Sequence, residues 1–194
     1  VLFRSAGLFY YLCVKKSATR EELIHLLWAD GSEASGRKSL REALYQIKKK
    51  VGEDFLLLSG QSSVRLNPEV PCFVDLDHPE DILEHYKGGF LDHFYVKNCY
   101  EFEEWAQETR EYYRNCYLEE VRRRLDLAAA AGDESKMDAY TSILLRQDPY
   151  NEAFYQQAMG IFAEQGKYSM AIKLYYDLRK RLKEDLDMEP GEDV

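Results

Sequence analysis

The chain has 194 residues, 45% of them hydrophobic and 31% charged, with only 5 prolines and a formal charge of −9. That composition excludes a disordered chain, because enough apolar side chain is present to build one or two packed domains. No run approaches the ~20 apolar residues that a bilayer-spanning helix needs, and a pI of about 5.1, taken whole, argues against a nucleic-acid partner.

The average conceals a division. Residues 1–74 carry 11 Lys+Arg against 8 Asp+Glu, a net +3, whereas residues 75–194 carry 15 against 27, a net −12. Asymmetry of this size predicts two domains with different partners, although solvated helix faces produce charge blocks as well. The four cysteines, Cys13, Cys72, Cys99 and Cys116, are scattered without a C-x-x-C pair. They fit a reducing cytoplasm better than a disulfide framework or a zinc site. The chain opens at Val1 without Met and enters an apolar stretch directly, the pattern of a fragment, and its start has no secretory n-region and h-region.

Along Ser5–Val14, Leu8, Tyr11 and Leu12 fall at i, i+3 and i+4 and predict a helix that Lys15-Lys16-Ser17 breaks. Thr19-Arg20-Glu21-Glu22 has the form of a capping box, in which hydroxyl and carboxylate each satisfy an orphan backbone donor. It predicts a second helix over Arg20–Trp28 that buries Leu23, Leu27 and either Leu26 or Trp28. Ala29–Ser32 reads as a turn with Ser32 as the next N-cap.

The third predicted helix is Glu33–Val51. Leu40, Leu44, Ile47 and Val51 form a narrow apolar stripe expected to face the core. On the opposite side, at ~100° per residue, lie Lys38, Glu42, Tyr45 and Lys49, with Arg37, Arg41 and Lys48 along one flank. Gly52 ends the helix. Phe55–Leu58 and Val64–Leu66 read as strands joined by the Gly-containing loop Ser59–Ser63, and Asn67-Pro68 closes the unit.

Helix, helix, basic helix, hairpin is the order of a winged helix-turn-helix. A major groove admits one helix, and basic residues on its free face release counterions from phosphate. An ordinary amphipathic helix kept soluble by lysines has the same periodicity. Arg20–Trp28 (REELIHLLW) and Ser39–Lys49 (SLREALYQIKK) resemble the OmpR/PhoB-type winged helix, more narrowly the version in the Streptomyces antibiotic regulatory protein (SARP) family. The resemblance implies that the helix from Glu33 is the recognition helix and that Ser59–Ser63 is the wing tip. Lys38, Arg41, Glu42, Tyr45 and Lys49 would then face the major groove, with Arg37 and Lys48 on phosphates. Gln61, Ser62 and Ser63, with Arg65 at the wing's base, would touch backbone or minor groove. Val64 stands where the family usually has an aromatic, and the family's N-terminal antiparallel sheet would precede Val1.

Pro71–Asp75 reads as a linker. Ile82–Tyr86 predicts a short helix, Lys87–Phe94 a turn with buried aromatics, and the chain from Tyr100 is helical with breaks at Gly132-Asp133, Asp148–Asn151 and Gln165–Lys167. Gly132 and Gly166 stand 34 residues apart, the period of a tetratricopeptide repeat. Superposing the two windows pairs Ala128 with Phe162, Ala129 with Ala163, Met137 with Ala171, Tyr140 with Leu174 and Leu144 with Leu178. Tyr100–Val121 would supply an extra helix for the stack. Tyr86–Phe94 (YKGGFLDHF), Trp105–Arg110, Asp148–Glu152, and Leu182–Leu186 with Glu189-Pro190 resemble the bacterial transcriptional activator domain, which follows the winged helix in SARP-type regulators. Two departures are Asp187, where the pattern generally has Gly, and a shortened stretch between Asp75 and Tyr86.

His78, His85 and His93 sit among carboxylates but lack metal-ligand spacing. The pairs Glu103/Glu104 and Glu119/Glu120 do not converge, and no nucleotide-binding or hydrolase motif is present. No catalytic residue, cofactor or metal is expected. The aromatics Tyr112, Tyr113, Tyr117, Tyr155, Phe162, Tyr168, Tyr175 and Tyr176 fit inter-helix core, a peptide groove, or both.

The expected fold is mainly α. It comprises a winged helix-turn-helix without its N-terminal sheet (1–70) and an all-α tetratricopeptide-like domain (75–194). The expected function is a non-enzymatic, cytoplasmic, sequence-specific regulator of transcription on double-stranded DNA. The resemblance further implies direct tandem repeats as targets, occupancy by a homodimer and contact with RNA polymerase, and the lack of a long apolar run leads to the expectation of no membrane partner. The alternative is a helical-repeat scaffold whose winged helix does not bind DNA.

Overall fold

The computed structural model of the chain describes residues 2–59 and 62–191. The elements in order are α1 (Leu2–Lys15), β1 (Ser17–Thr19), α2 (Arg20–Trp28), α3 (Glu33–Val51), β2 (Leu56–Ser59), β3 (Ser63–Leu66), α4 (Ile82–His85), α5 (Tyr100–Ala131), α6 (Glu134–Gln147), α7 (Glu152–Glu164) and α8 (Tyr168–Leu186). They form two compact units, Val1–Asn115 and Cys116–Val194, divided within α5.

In the first unit, α1, α2 and α3 close on a small antiparallel sheet of order β1-β3-β2. The capping box forms as its spacing dictates: the Glu22 amide donates to Thr19 Oγ1 at 3.1 Å and the Thr19 amide to Glu22 Oε2 at 3.4 Å. Both alternatives at the end of α2 are filled, since Leu23, Leu26, Leu27 and Trp28 are all buried. Ser17–Thr19, which runs from the end of the predicted helix break to the residue that opens the capping box, is also a strand. Ala18 is buried between two exposed neighbours and pairs with the fully buried Val64. Three residues with one apolar side chain carry no periodic signal of their own; β3 creates this strand by pairing with it.

The α3 stripe is buried at Leu40, Ala43, Leu44 and Ile47, but Val51 is 44% exposed and not the core residue expected. The last turn of α3 runs past the edge of the core. Gly52, at φ +122°, then turns the chain into a 3-10 turn, Glu53–Phe55. Phe55, expected to start a strand, lies in that turn and is buried, its ring stacked on Phe9 at 5.7 Å.

Residues beyond the wing complete the same core. Val70 and Val74 pack against it, so the predicted linker is partly anchored by its last apolar residue. Phe90, Leu91 and Phe94 cover it, while Val96, Cys99, Phe102, Trp105 and Ala106 enter it. Trp105 meets Tyr11 edge-on at 4.7 Å, and the Cys99 thiol donates to the Leu27 carbonyl at 3.3 Å.

In the second unit the 34-residue repeat is exact at the turns. Gly132 and Gly166 have φ of +66° and +72°. Each donates to the third residue before it, and each following residue donates to the fifth before it: Asp133 to the Ala128 carbonyl at 2.9 Å, Lys167 to that of Phe162 at 2.8 Å. The paired Leu144 and Leu178 are both fully buried, as is Met137. A left-handed residue at each helix end satisfies carbonyls that would otherwise be orphaned. α8 packs on α7 through Tyr155, Leu178 and Leu182. Among the described residues no helix is long and apolar enough to cross a membrane.

Candidate nucleic-acid interface

Two devices hold α3 against the first unit. Its N-cap, Ser32, accepts from the Ser35 amide at 3.3 Å. One turn later, Gly36 is buried so close to α2 that a Cβ there would lie 2.6 Å from Ile24 Cγ2. With Leu40, Ala43, Leu44 and Ile47 facing inward, the opposite face of α3 is left to solvent by the helical period alone.

That face carries Lys38, Arg41, Glu42, Tyr45 and Lys49, all exposed, Tyr45 by 56%. Lys38, Arg41 and Lys49 form no ion pair among the described residues, so their charges are free for an incoming anion. The flanking residues are less free. Arg37 is paired with Glu33 at 2.5 Å, and Lys48 is half-buried with its Nζ 4.0 Å from Glu53. Glu42 accepts from the Gln46 amide group at 2.8 Å, an intrahelical bond that a base edge would have to replace.

The hairpin supplies the rest. β2 and β3 pair in register from Leu56 opposite Leu66 to Ser59 opposite Ser63. Of the expected wing contacts, Gln61 lies outside the described residues. Ser62 is exposed, its hydroxyl donating to the Ser59 carbonyl at 3.2 Å. Ser63 is half-buried in β3, and Arg65 is exposed on β3 between Ser17 and Leu57.

Three further residues carry consequence here. Arg4 of α1 grips Asp30, in the turn before α3, through two hydrogen bonds of 3.1 and 2.9 Å. The Arg4 guanidinium holds the Asp30 carboxyl below its ordinary value. Nothing in the spacing of positions 4 and 30 signals that contact. Arg20 begins α2, and its amide donates to the Ser62 carbonyl at 2.9 Å, tying the helix start to the wing. Its Nε is covered and has no partner among the described residues. The capping box already placed Arg20 at a helix start, so this one was visible in the sequence. Lys50 is exposed and unpaired in the last turn.

An arrangement of free cations on a rigid helix, with a hairpin beside it, suits an anionic polymer with a groove. Among the described residues no group of three His, Cys, Asp or Glu side chains is placed to hold a metal ion.

Residues 76–194 match the family of the bacterial transcriptional activator domain. No curated protein matches the chain significantly. Among solved structures, Mycobacterium tuberculosis EmbR in complex with a low-affinity phosphopeptide is similar, with a TM-score of 0.66 and 17% identity over 98% of this chain and 56% of that one. The chain thus spans little more than half the length of that protein, and at this identity the likeness is one of fold.

Proposed function

The chain belongs to the bacterial transcriptional activator domain family of SARP-type regulators, and from that premise we propose that it binds duplex DNA sequence-specifically through α3 and activates transcription through its helical repeats. The winged helix of residues 1–70 takes DNA, and residues 75–194 take a protein partner, RNA polymerase among them. Lys38, Arg41, Glu42, Tyr45 and Lys49 face the major groove. Arg37 and Lys48 reach phosphates once their intrahelical and loop partners yield them, and Gln61, Ser62, Ser63 and Arg65 lie along the neighbouring backbone. Arg20 joins them as a phosphate contact at the start of α2. Two copies on direct repeats, in the cytoplasm, complete the reading. It assigns no catalytic chemistry.

The observation that carries it is the α3 face itself: unpaired Lys38, Arg41 and Lys49 over a buried stripe, on a helix whose approach is set by Gly36. The test is a fluorescence-anisotropy titration against duplexes recovered by random-site selection, repeated across salt concentrations. Lys38→Glu with Lys49→Glu is expected to weaken binding by about a hundredfold or more and to flatten the slope of log K against log salt by about two. Binding and slope unchanged by both reversals would overturn the assignment. Absence of binding to any duplex, in the full-length gene product, would favour the scaffold instead.

A further inference from the structure

In the second unit, 11 Lys and Arg residues are set among a majority of acids. Eight of those cations are ion-paired with a neighbouring carboxylate, mostly one turn away on the same helix. The three without a carboxylate partner among the described residues are Arg146, Lys173 and Arg181, the last of which donates a hydrogen bond to the Tyr155 hydroxyl. All three line one groove of about 600 Å³ between α6 and α8. Pairing elsewhere is the rule because an acidic surface offers carboxylates at i±3 and i±4. That the exceptions converge on one concavity, from two different helices, marks it as prepared for an external anion.

A second observation is independent of charge. Thr141, on the α6 side of the same groove, is only 5% exposed, and its hydroxyl has no hydrogen-bond partner among the described residues. A covered hydroxyl left unpaired is unfavourable in the free protein and becomes favourable when a ligand donor or acceptor reaches it. The floor is apolar: Phe162 is buried beneath the groove, with Leu174 beside it. Two carboxylates, Asp138 and Asp177, stand in the same lining, so the groove suits a ligand that brings N–H donors along with its anions, as a peptide does and a phosphodiester backbone does not.

We propose that the groove between α6 and α8 binds an acidic linear peptide of a partner protein. Its carboxylates meet Arg146, Lys173 and Arg181, an apolar side chain rests over Phe162, and a main-chain group satisfies Thr141. Of the described residues after α8, Glu189 pairs with Arg179 and the Gly191 amide donates to Glu152, neither of which lines the groove. The inference rests on the reading of the helical repeats as protein-binding, and it stands apart from DNA binding by α3.

The probes are two fluorescein-labelled nonapeptide pools with a central Leu or Phe, flanked by Asp and Glu in one pool and by Asn and Gln in the other, titrated into the whole chain. The acidic pool is expected to bind about tenfold tighter or more, and Arg146→Glu and Lys173→Glu each to weaken it about tenfold. Arg123→Glu, on the ion-paired surface, is expected to leave it unchanged. Thr141→Val separates ligand contact from mere structure: it is expected to raise the melting temperature of the free protein while weakening the acidic pool severalfold. Equal binding of the two pools, acidic binding that survives the Arg146→Glu/Lys173→Glu double reversal, or a lowered melting temperature for Thr141→Val would each overturn the proposal. The same variants are titrated with duplex DNA. Acidic-peptide preference in a chain that binds no duplex upholds the groove and sinks the DNA reading, whereas intact DNA binding with indifferent peptides does the reverse.

Discussion

Gly36 shows how one position can govern an interface it does not touch. With Ile24 Cγ2 standing 2.6 Å from where a Cβ would be built, α3 comes as near to α2 as a backbone with no side chain allows. Ile24 is β-branched and stiff about χ1, so it does not swing aside cheaply. Gly36→Ala is expected to destabilise the chain by about 1–2 kcal/mol: overpacking of roughly 1–3 kcal/mol outweighs the ~1 kcal/mol that Ala gains over Gly in a helix. The urea midpoint reads the loss directly. The same variant tilts α3, so its DNA affinity is expected to fall although no proposed contact has changed. In the sequence Gly36 is just a residue within an amphipathic helix, because its reason lies in another helix's side chain. Val51 teaches the converse: its spacing put it on the stripe, but periodicity does not say where a core stops.

At the scale of the element, helix ends carry the readable information. Gly132 and Gly166, both at positive φ, were found from the 34-residue period and behave alike in hydrogen bonding. Gly166→Ala is expected to cost about 1–2 kcal/mol, the penalty for a Cβ in the left-handed region. Asp187 closes α8 in that same region at φ +53°, where the family pattern has Gly. Asp187→Gly is therefore expected to stabilise the chain by roughly 0.5–1 kcal/mol, less what its bond to Lys183 at 2.7 Å contributes. Thermal unfolding of both variants checks the opposite signs.

Within α5, Glu120 accepts from Arg123 at 2.6 Å and from Arg124 at 2.8 Å, and these partners, Arg123 foremost, hold its carboxyl down to about 2 from an ordinary 4.5. A pKa depressed by folding contributes stability that is present above about 4.5 and is lost as pH falls toward about 2. Between those limits the unaltered chain is expected to lose more thermal stability than Glu120→Gln, which has no proton to gain. Parallel acid-melting curves would refute this.

At the scale of the molecule, the compact division does not follow the functional one proposed. The first unit runs to Asn115, and its core takes in Val96, Cys99, Phe102, Trp105 and Ala106 from beyond the wing. A chain cut to residues 1–74 would lose Phe102, which is fully buried, and Trp105, whose ring lies against Tyr11. It is expected to give weak, uncooperative unfolding by circular dichroism, whereas residues 1–115 melt as one cooperative unit. A cooperative, equally stable 1–74 would show that the winged helix needs nothing from the chain that follows. The charge division has consequences at the same scale. The net +3 of residues 1–74 resides chiefly on α3, and the net −12 of the remainder belongs to residues whose cations are mostly engaged by their own carboxylates.

Local rules sufficed for much of this protein. Capping chemistry, the 3.6-residue period and the glycine spacing placed α2, α3 and the breaks between α5 and α8 where the structure has them, since each depends on residues within a turn or two of one another. The outward face of α3 was equally legible, because burying one side of a helix exposes the other. What the tertiary structure decided depends on residues distant in sequence. β1 exists through pairing with β3, the turn before α3 is held by Arg4 from α1, and Phe102 and Trp105 finish a core that begins nearly a hundred residues earlier. The groove of Arg146, Lys173, Arg181 and Thr141 is of that kind too. A cation's lack of a carboxylate partner, and a hydroxyl's burial without a hydrogen bond, are facts about neighbours in space, and the linear chain does not record them.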